Sequence, residues 1–307
     1  MKIVITGGTG FIGSHLTEAL ATNAQVIVFD NLSSGRRSFL AQTSAELIKG
    51  DIRNLNEIKD TCKHAEIVYH FAADPDVRCS WREPLEHFRI NVAGTLNVLE
   101  SCRMNDVKQL VFASSSTVYG NADTPTLENA PIVPISNYGA AKAAGEHYIS
   151  VYSQLYGMQG IVLRYANIIG PRLTHGVVYD FYNKLKKNPR ELEILGNGEQ
   201  RKSYLHVRDA VQATLLVAKK TKKKFDVFNI GSEEQITVKD IADLIVSEIT
   251  LKDVEYKYAG NKIGWPGDIP IMLLSIAKLR SLQWKPKFTI NKAIIDTINW
   301  LKKHAQL

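Results

Sequence analysis

A short apolar run near the start of the chain leads directly into three glycines spaced three residues apart. The run is KIVIT, residues 2–6, and the glycines are Gly7, Gly10 and Gly13 in TGGTGFIG. Its Val and Ile side chains favour a β-strand, and the following FIGSHLTEALA has the apolar spacing of a helix. Glycines between a strand and a helix allow a tight turn and let backbone N–H groups approach a phosphate group. This feature restricts the fold strongly, because it is typical of the first unit of a parallel α/β sheet.

Alternation of strand and helix continues to about residue 163. The strand candidates are KIVIT, QVIVF, AELIKG, EIVYHFAA, QLVFASS and QGIVLR, and the helices between them include FIGSHLTEALA, NEIKDTC and PLEHFRINVAGTLNVLESCRM. Nearly continuous apolar strands indicate a sheet that is covered on both faces. The order predicts an α/β fold built on a doubly wound parallel sheet, that is, a Rossmann domain.

Two acidic residues follow the second and third predicted strands. Asp30 has the spacing from the glycine turn at which a carboxylate binds the ribose hydroxyls of adenosine, so the two features together predict dinucleotide binding. A carboxylate would repel a ribose phosphate, which favours NAD over NADP, although Arg36 and Arg37 lie a few residues further on. Asp51 either hydrogen-bonds the adenine amine or caps the next helix.

The rhythm changes after residue 164. Residues 167–307 contain irregular segments rich in Gly and Pro, a strand DVFNIG, and the helices TVKDIADLIVSEI and INKAIIDTINWLKK. We therefore predict an NAD-binding Rossmann domain over residues 1–166, with segments near 205–231 returning to it. Residues 167–307 are expected to form mainly a smaller C-terminal α/β lobe that binds substrate.

Cysteine content and apolar run length exclude several classes of protein. Cys62, Cys79 and Cys102 are far apart and form no Cys-x-x-Cys, so neither a disulfide framework nor a metal site is expected. No apolar run approaches the roughly 20 residues that span a bilayer, and no charged-then-apolar leader is visible. These observations predict a cytoplasmic protein with no membrane partner.

The net charge of +7 is compatible with a nucleic-acid partner or with an acidic small molecule. The lysines are spread over predicted helix ends and connections, and neither a base-stacking platform nor a helix-turn-helix pattern accompanies them. We expect a solvated basic surface and no nucleic-acid partner.

Tyr138 and Lys142 lie four residues apart in SNYGAAKAAGEHY, so a helix places both on one face. An exposed Tyr above a solvated Lys would fit this pair alone. However, the fifth strand ends in FASSSTVYG, which brings Ser115 to the carboxyl edge of the sheet, where ligands bind. An ordinary Tyr pKa near 10 is too high for a base at neutral pH. We predict that Lys142, together with a positive nicotinamide, lowers the pKa of Tyr138 so that it can act as a general base.

These residues resemble the extended short-chain dehydrogenase/reductase family, and within it the nucleotide-sugar epimerases. The resemblance covers essentially the whole chain. It rests on TGGTGFIGSHL, FDNLSSG, GDI, HFAA, NVAGTLNVLE, SSSTVYG, RYANIIGPR, SYLHVRDAV, NIG and WPGDIP, together with the Tyr-Lys pair.

The resemblance implies a role for each matching residue. Tyr138 would be the base, Lys142 would bind the nicotinamide ribose and Ser115 the sugar hydroxyl, while Asn167 would contact the substrate phosphates. The residues implied around NAD are Gly7, Gly10, Phe11, Ile12, Gly13, Asp30, Asn31, Asp51, Ile52, Phe71, Ala72, Ala73 and Asn91, besides Tyr138 and Lys142.

The implied activity is that of an isomerase. A UDP-sugar loses its 4-hydroxyl proton to the base and a hydride to NAD. The 4-keto sugar then rotates in the site and is reduced on its other face. The expected reaction interconverts UDP-glucose and UDP-galactose. A UDP-N-acetylglucosamine 4-epimerase, a dehydratase and a non-catalytic nucleotide-binding relative are the alternatives. Dehydration is less expected because the segment Ser116-Thr117-Val118 offers no carboxylate as a proton relay.

Two departures from the family affect the substrate diphosphate. The family has an arginine directly before an acidic-aromatic pair, where this chain has Arg201 followed by Lys202, and a second arginine before Pro-Gly-Asp, where it has Trp265. Tryptophan cannot form a bidentate contact with phosphate. Either Arg201 and Lys202 bind the diphosphate, with help from Lys262 or Arg208, or the affinity for the diphosphate is weak.

Met272 occupies the position that borders the 2-substituent of the sugar in family members. Methionine is long but flexible, so we predict a preference for UDP-glucose and UDP-galactose with weak acceptance of N-acetyl sugars. Ordinary core packing of Met272 is the alternative.

Two long predicted helices, roughly residues 84–104 and 138–156, carry apolar side chains on more than one face. Relatives pair such helices across a dimer interface, so the resemblance implies a homodimer.

Overall fold

The apolar runs predicted as strands form strands in the computed structural model, which describes residues 1–260, 263–265 and 267–304. In chain order the strands are β1 Lys2–Thr6, β2 Gln25–Asp30, β3 Glu46–Lys49, β4 Ile67–His70, β5 Gln109–Ser115, β6 Gln159–Tyr165, β7 Asn167–Ile169, β8 Glu191–Leu195, β9 Arg201–Lys202, β10 Tyr204–His206, β11 Phe225–Ile230, β12 Ile236–Thr237, β13 Glu255–Ala259 and β14 Ile271–Met272. The helices are α1 Phe11–Ala21, α2 Leu55–Thr61, α3 Pro84–Phe88, α4 Gly94–Met104, α5 Asn137–Tyr156, α6 Val177–Lys187, α7 Val207–Lys220, α8 Val238–Glu248, α9 Ala277–Ser281 and α10 Ile290–Lys303.

Among the described residues, seven parallel strands form the main sheet in the order β11-β6-β5-β4-β1-β2-β3. The chain moves outward from β1 to β3, returns to β4 beside β1, and then moves outward the other way. This confirms the predicted doubly wound α/β fold. The seventh strand, β11, pairs with β6 from Phe225 opposite Gly160 to Ile230 opposite Tyr165.

Both faces of this sheet are buried, as the apolar strands predict. Ile3 and Ile5 of β1 pack in a core on one face, while Val4 packs with Phe112 in a second core on the other face. Helices α1 and α7 contact each other, as do α2 and α4. Complete burial of one such aliphatic side chain stabilises the fold by about 1.5–3 kcal/mol.

Part of the second half of the chain forms a smaller lobe with its own core. Strands β8 and β13 pair in parallel, and three short strands pair in the order β12-β9-β14. Helices α6, α8 and α10 contact one another around a cluster that includes Phe181, Ile245 and Ile294. The C-terminal α/β lobe is therefore confirmed.

The helix predicted over residues 84–104 contains one irregularity. Between α3 and α4 the chain makes a π-helical turn, Arg89–Ala93. Asn91 lies in this turn, where its Oδ1 accepts the Asp74 N–H at 2.8 Å and its Nδ2 donates to the Asp74 carbonyl at 3.0 Å. The periodic sequence predicts the helix but contains no signal for the wider turn.

Within the described ranges, no helix combines the length and the apolar composition that are needed to cross a bilayer.

Candidate active site

The glycine turn between β1 and α1 packs against the exit of β4. Gly7 has a positive φ of 72°, and a Cβ on it would lie 2.6 Å from the Ala72 nitrogen. A Cβ on Gly13 would lie 2.1 Å from the Gly7 carbonyl oxygen. Gly10 precedes α1 and has no side chain to cap its first N–H groups. The turn is therefore narrow enough to require glycine, and the start of α1 suits a pyrophosphate.

Asp30 is fixed at the edge of this turn. Its Oδ2 accepts the Thr9 N–H at 3.0 Å and its Oδ1 accepts the Leu32 N–H at 2.8 Å. Both bonds come from backbone groups, so the carboxylate position depends on the turn itself. Each oxygen retains a second lone pair for a ribose hydroxyl.

Asp51 lies beside Asn31, whose Nδ2 donates to Asp51 Oδ2 at 3.0 Å. Hydrogen bonds from the Arg53 guanidinium hold the pKa of Asp51 well below its usual range. The following helix is capped by Asn54, whose side chain accepts two backbone N–H groups. The helix-capping role considered for Asp51 is therefore wrong, and its contact with adenine stays a prediction.

The remaining residues expected around NAD lie near this turn or in the adjacent cores. The Phe71 and Ala72 N–H groups donate to the Thr6 carbonyl and hydroxyl, at 3.0 Å and 3.3 Å. Ala73 follows in the loop after β4 and is half-buried. Phe11 and Ile12 are half-buried and pack against two different cores, while Ile52 is buried in the core that contains Phe29.

Ser115, Tyr138 and Lys142 come together at the carboxyl edge of the sheet. Ser115 ends β5, and its hydroxyl accepts the Thr117 N–H at 3.2 Å. It is close enough to the phenol of Tyr138, in the first turn of α5, to lower the pKa of that group. The Lys142 ammonium lies 5.7 Å from the centre of the Tyr138 ring and donates to the Ala113 carbonyl at 2.7 Å. The helix is held at its start by the Ser136 side chain, which accepts the Gly139 N–H.

The predicted lowering of the Tyr138 pKa by Lys142 and a nicotinamide stays a prediction, and burial acts against it in the protein alone. Burial raises the pKa of Tyr138 to about 12, and the hydrogen bond from Ser115 opposes this only in part. Burial lowers the pKa of Lys142 to about 7, against the attraction of Glu146. Removal from water disfavours the charged form of both groups, so burial outweighs their proximity.

Sequence reasoning missed a buried ionic network beneath the helix that carries Tyr138. Glu146 accepts the Ser114 hydroxyl at 2.5 Å, and Arg164 donates to the same carboxylate at 2.6–3.1 Å. Arg164 also donates to the Tyr119 hydroxyl, which donates to Asn229 of β11. An arginine within the apolar run QGIVLRY was the available signal, since a buried charge requires a partner.

The cations expected to bind a substrate diphosphate are less available than predicted. Lys202 Nζ lies 2.5 Å from the buried Asp268 carboxylate, so its charge is already neutralised. Arg201 and Arg208 are exposed, and Lys262 lies outside the described residues. The cause is a contact between segments far apart in the chain, which a local motif does not reveal.

Three other residues that the sequence analysis expects near the substrate lie in the second half of the chain. Asn167 donates its Nδ2 to the Ser203 carbonyl at 3.0 Å. Trp265 is half-buried, and its carbonyl accepts the Asp268 N–H. Met272 stands opposite Lys202 in the β14-β9 pair and is 8% exposed, in a small core with Ala143.

Within the described part of the chain, no group of three or more His, Cys, Asp or Glu side chains is placed to hold a metal ion.

The site combines a glycine turn, an acidic residue at the end of the second strand and a Ser-Tyr-Lys trio. Comparison with known proteins identifies the family. The sequence model of the NAD dependent epimerase/dehydratase family matches residues 3–231. The chain belongs to this family. NAD is the cofactor of the family, and the tight glycine turn, which leads into the start of α1 without a side-chain cap, fits a dinucleotide.

Members of the family with solved structures resemble this chain over its whole length. A UDP-galactose 4-epimerase is 46% identical, with a TM-score of 0.91 and 99% of each chain covered. The UDP-glucose 4-epimerase of Thermotoga maritima, solved with UDP-glucose, is 34% identical, with a TM-score of 0.91 and 100% of each chain covered. A UDP-N-acetylglucosamine 4-epimerase from Methanobrevibacter ruminantium, in complex with UDP-N-acetylmuramic acid, is 30% identical, with a TM-score of 0.90 and 98% of each chain covered. These findings confirm the resemblance to nucleotide-sugar 4-epimerases and leave the individual sugar open.

Proposed function

We propose that the protein interconverts UDP-glucose and UDP-galactose by NAD-dependent epimerisation at C4 of the sugar. The observation that carries this proposal is the convergence of Ser115, Tyr138 and Lys142 at the same carboxyl edge of the sheet as the glycine turn. The similarity to a UDP-galactose 4-epimerase at 46% identity supports the choice of sugars.

NAD would lie along the carboxyl edge of the sheet. The turn at Gly7, Gly10 and Gly13 would bind its pyrophosphate, Asp30 its adenosine ribose, and Lys142 its nicotinamide ribose. When bound, NAD accepts a hydride from the sugar, returns it, and adds a positively charged ring to the site.

The side chains of the chain would move the proton. Ser115 would bind the 4-hydroxyl, and Tyr138 would take its proton and later return one. For a phenol with a pKa of about 12, deprotonation at pH 7 costs roughly 7 kcal/mol of free energy. Positive charge beside Tyr138 is therefore required for it to act as a base, and Lys142 supplies part of that charge when it is protonated.

Incubation of the purified protein with UDP-galactose is expected to give UDP-glucose without net consumption of NAD. The product ratio at equilibrium should be the same from either direction, because no net oxidation occurs. Chromatography of the sugar nucleotides measures this. Absence of interconversion in a folded, NAD-supplemented sample would refute the proposed activity.

The same assay with UDP-N-acetylglucosamine and UDP-N-acetylgalactosamine tests the second candidate. The similarity to a UDP-N-acetylglucosamine 4-epimerase favours this candidate, while the length of the Met272 side chain, at the position that borders the 2-substituent in the family, favours the smaller sugars. We expect the N-acetyl pair to react slowly. Equal rates for both pairs would show that Met272 does not restrict the 2-substituent.

We further propose that the protein is a homodimer through α3, α4 and α5. Large apolar side chains are exposed along these helices, notably Leu85 at 70%, Phe88 at 55% and Leu155 at 67%. Exposed apolar area of this kind on neighbouring helices is typical of an interface between copies.

Light scattering at micromolar concentration is expected to give twice the mass of the chain. Leu155→Glu should shift the mass toward the monomer, because a charge would be buried in the interface. Leu127→Glu, at another exposed leucine outside these helices, is the matched control and should leave the mass unchanged. A monomeric mass for the unmodified protein would contradict the dimer.

A further inference from the structure

This inference rests on the proposed function and concerns the diphosphate of its substrate. A nucleoside diphosphate group requires cationic donors, and arginine provides the strongest ones. At the two positions where the family has arginines, this chain has Lys202, which is paired with Asp268, and Trp265, which carries no charge. Arg201, next to Lys202, remains exposed, and a further cation at the edge of the sheet would add to it.

Arg78 lies in the loop that follows β4, at the carboxyl edge of the sheet. Its side chain is half-exposed, with Nη1 3.6 Å from Asp180 Oδ2 and Nε 4.0 Å from Asp76 Oδ1. Both distances exceed those of a good hydrogen bond, so these carboxylates attract the guanidinium without fully engaging it. Asp180 belongs to α6 of the second lobe, so Arg78 reaches across from one lobe to the other.

The backbone on either side of Arg78 is fixed next to the Tyr138 helix. On one side Asn91 binds both backbone groups of Asp74. On the other, Asn137 Nδ2 at the start of α5 donates to the Ser80 carbonyl at 2.8 Å. The loop that carries Arg78 is thus tied to the start of the helix that carries Tyr138, while the Arg78 guanidinium faces Asp180 of the second lobe. A diphosphate between a sugar at Tyr138 and a nucleoside on the second lobe would pass this loop.

Asp180 has a second cation nearby. Lys184, one helical turn further along α6, also acts on this carboxylate, although its Nζ is paired with Glu193 Oε2 at 2.7 Å. Burial raises the pKa of Asp180, which lowers the penalty for separating it from Arg78.

We propose that Arg78 binds the substrate diphosphate by exchanging Asp180 for phosphate oxygens. It would thereby supply a positive charge for the phosphate, since Lys202 is paired with Asp268 and Trp265 is uncharged. Arg78 is then a substrate-binding residue, and Asp180 competes with the substrate for it.

Calorimetric titration of UDP into the NAD-loaded protein tests this exchange. Arg78→Gln should weaken UDP binding by roughly 10- to 100-fold, through the loss of charge-assisted hydrogen bonds, and Arg78→Lys should recover part of it. Asp180→Asn should strengthen UDP binding, because the competing carboxylate is removed. Arg82→Gln, a matched change in the same loop where the guanidinium lies over Trp81, should alter affinity less than about twofold.

The opposite signs expected at Arg78 and Asp180 separate this role from a structural one. If the pair only fastened the two lobes together, both substitutions would weaken UDP binding and lower the unfolding temperature alike, and the proposal would be overturned. Unchanged UDP affinity in Arg78→Gln would also overturn it, while leaving the epimerase activity standing. An unmodified protein that binds no UDP would instead refute the proposed substrate class and, with it, this role.

Discussion

Tyr138→Phe is expected to lower kcat by roughly 10²- to 10⁴-fold while NAD stays bound. The substitution removes the phenol hydroxyl, whose pKa Ser115 affects, and keeps the ring. Rates of UDP-galactose conversion measure the loss, and the absorbance of the nucleotide released on denaturation measures bound NAD. Tyr148→Phe is the matched control, because Tyr148 lies on the same helix but is 41% exposed.

The pH dependence provides a second test of the same role. Deprotonation of Tyr138 requires a high pH, since burial raises its pKa to about 12, so activity from the phenolate should rise with pH. The ammonium of Lys142, with a pKa lowered to about 7, loses its charge at a lower pH than the one at which Tyr138 ionises, so the loss of this positive charge should oppose the rise. The Phe variant should lack the rising limb. A mild loss of rate with an unchanged profile would point to a different base, such as a water held by Ser115.

Arg164→Met is expected to destabilise the fold by about 3–5 kcal/mol, because it leaves the carboxylate of Glu146 buried without a cation. Both side chains are nearly inaccessible, at 4% and 3% exposure, and Arg164 donates two hydrogen bonds beyond the pair. The unfolding free energy from denaturant titration measures the effect.

The matched control is Arg103→Met, which removes a partly exposed ion pair with Glu100 on α4. This change should cost much less than Arg164→Met, because water screens an exposed pair. The double variant Glu146→Gln with Arg164→Met should recover part of the loss, since no unpaired charge remains. An effect of Arg164→Met no larger than that of Arg103→Met would show that the network contributes little.

Local patterns predicted the parts of this protein that depend on neighbours in sequence. The strand, glycine turn and helix at residues 2–21 follow from side-chain size and spacing, and α1 begins and ends at the predicted residues. Tyr138 and Lys142 share a helix face for the same reason.

Contacts between distant segments decided what the sequence did not reveal. The pairing of Lys202 with Asp268 joins residues on different strands and turns of the second lobe, so the motif around Lys202 could not show that its charge is neutralised. The pKa directions of Tyr138 and Lys142 depend on how much water the folded chain excludes, which no local spacing reports. Arg78 gave no signal, because its partner Asp180 lies on a helix of the other lobe.

The position of β11 has a consequence for how the protein is made. Strand β6 has β5 on one side, and its other edge is covered by β11, which leaves the ribosome much later. Until residue 230 emerges, an apolar strand presents a row of unpaired N–H and C=O groups, the kind of edge on which nascent chains associate. The first 166 residues therefore do not make a finished unit during synthesis, and completion of the sheet must wait for a segment encoded beyond the first part of the small lobe.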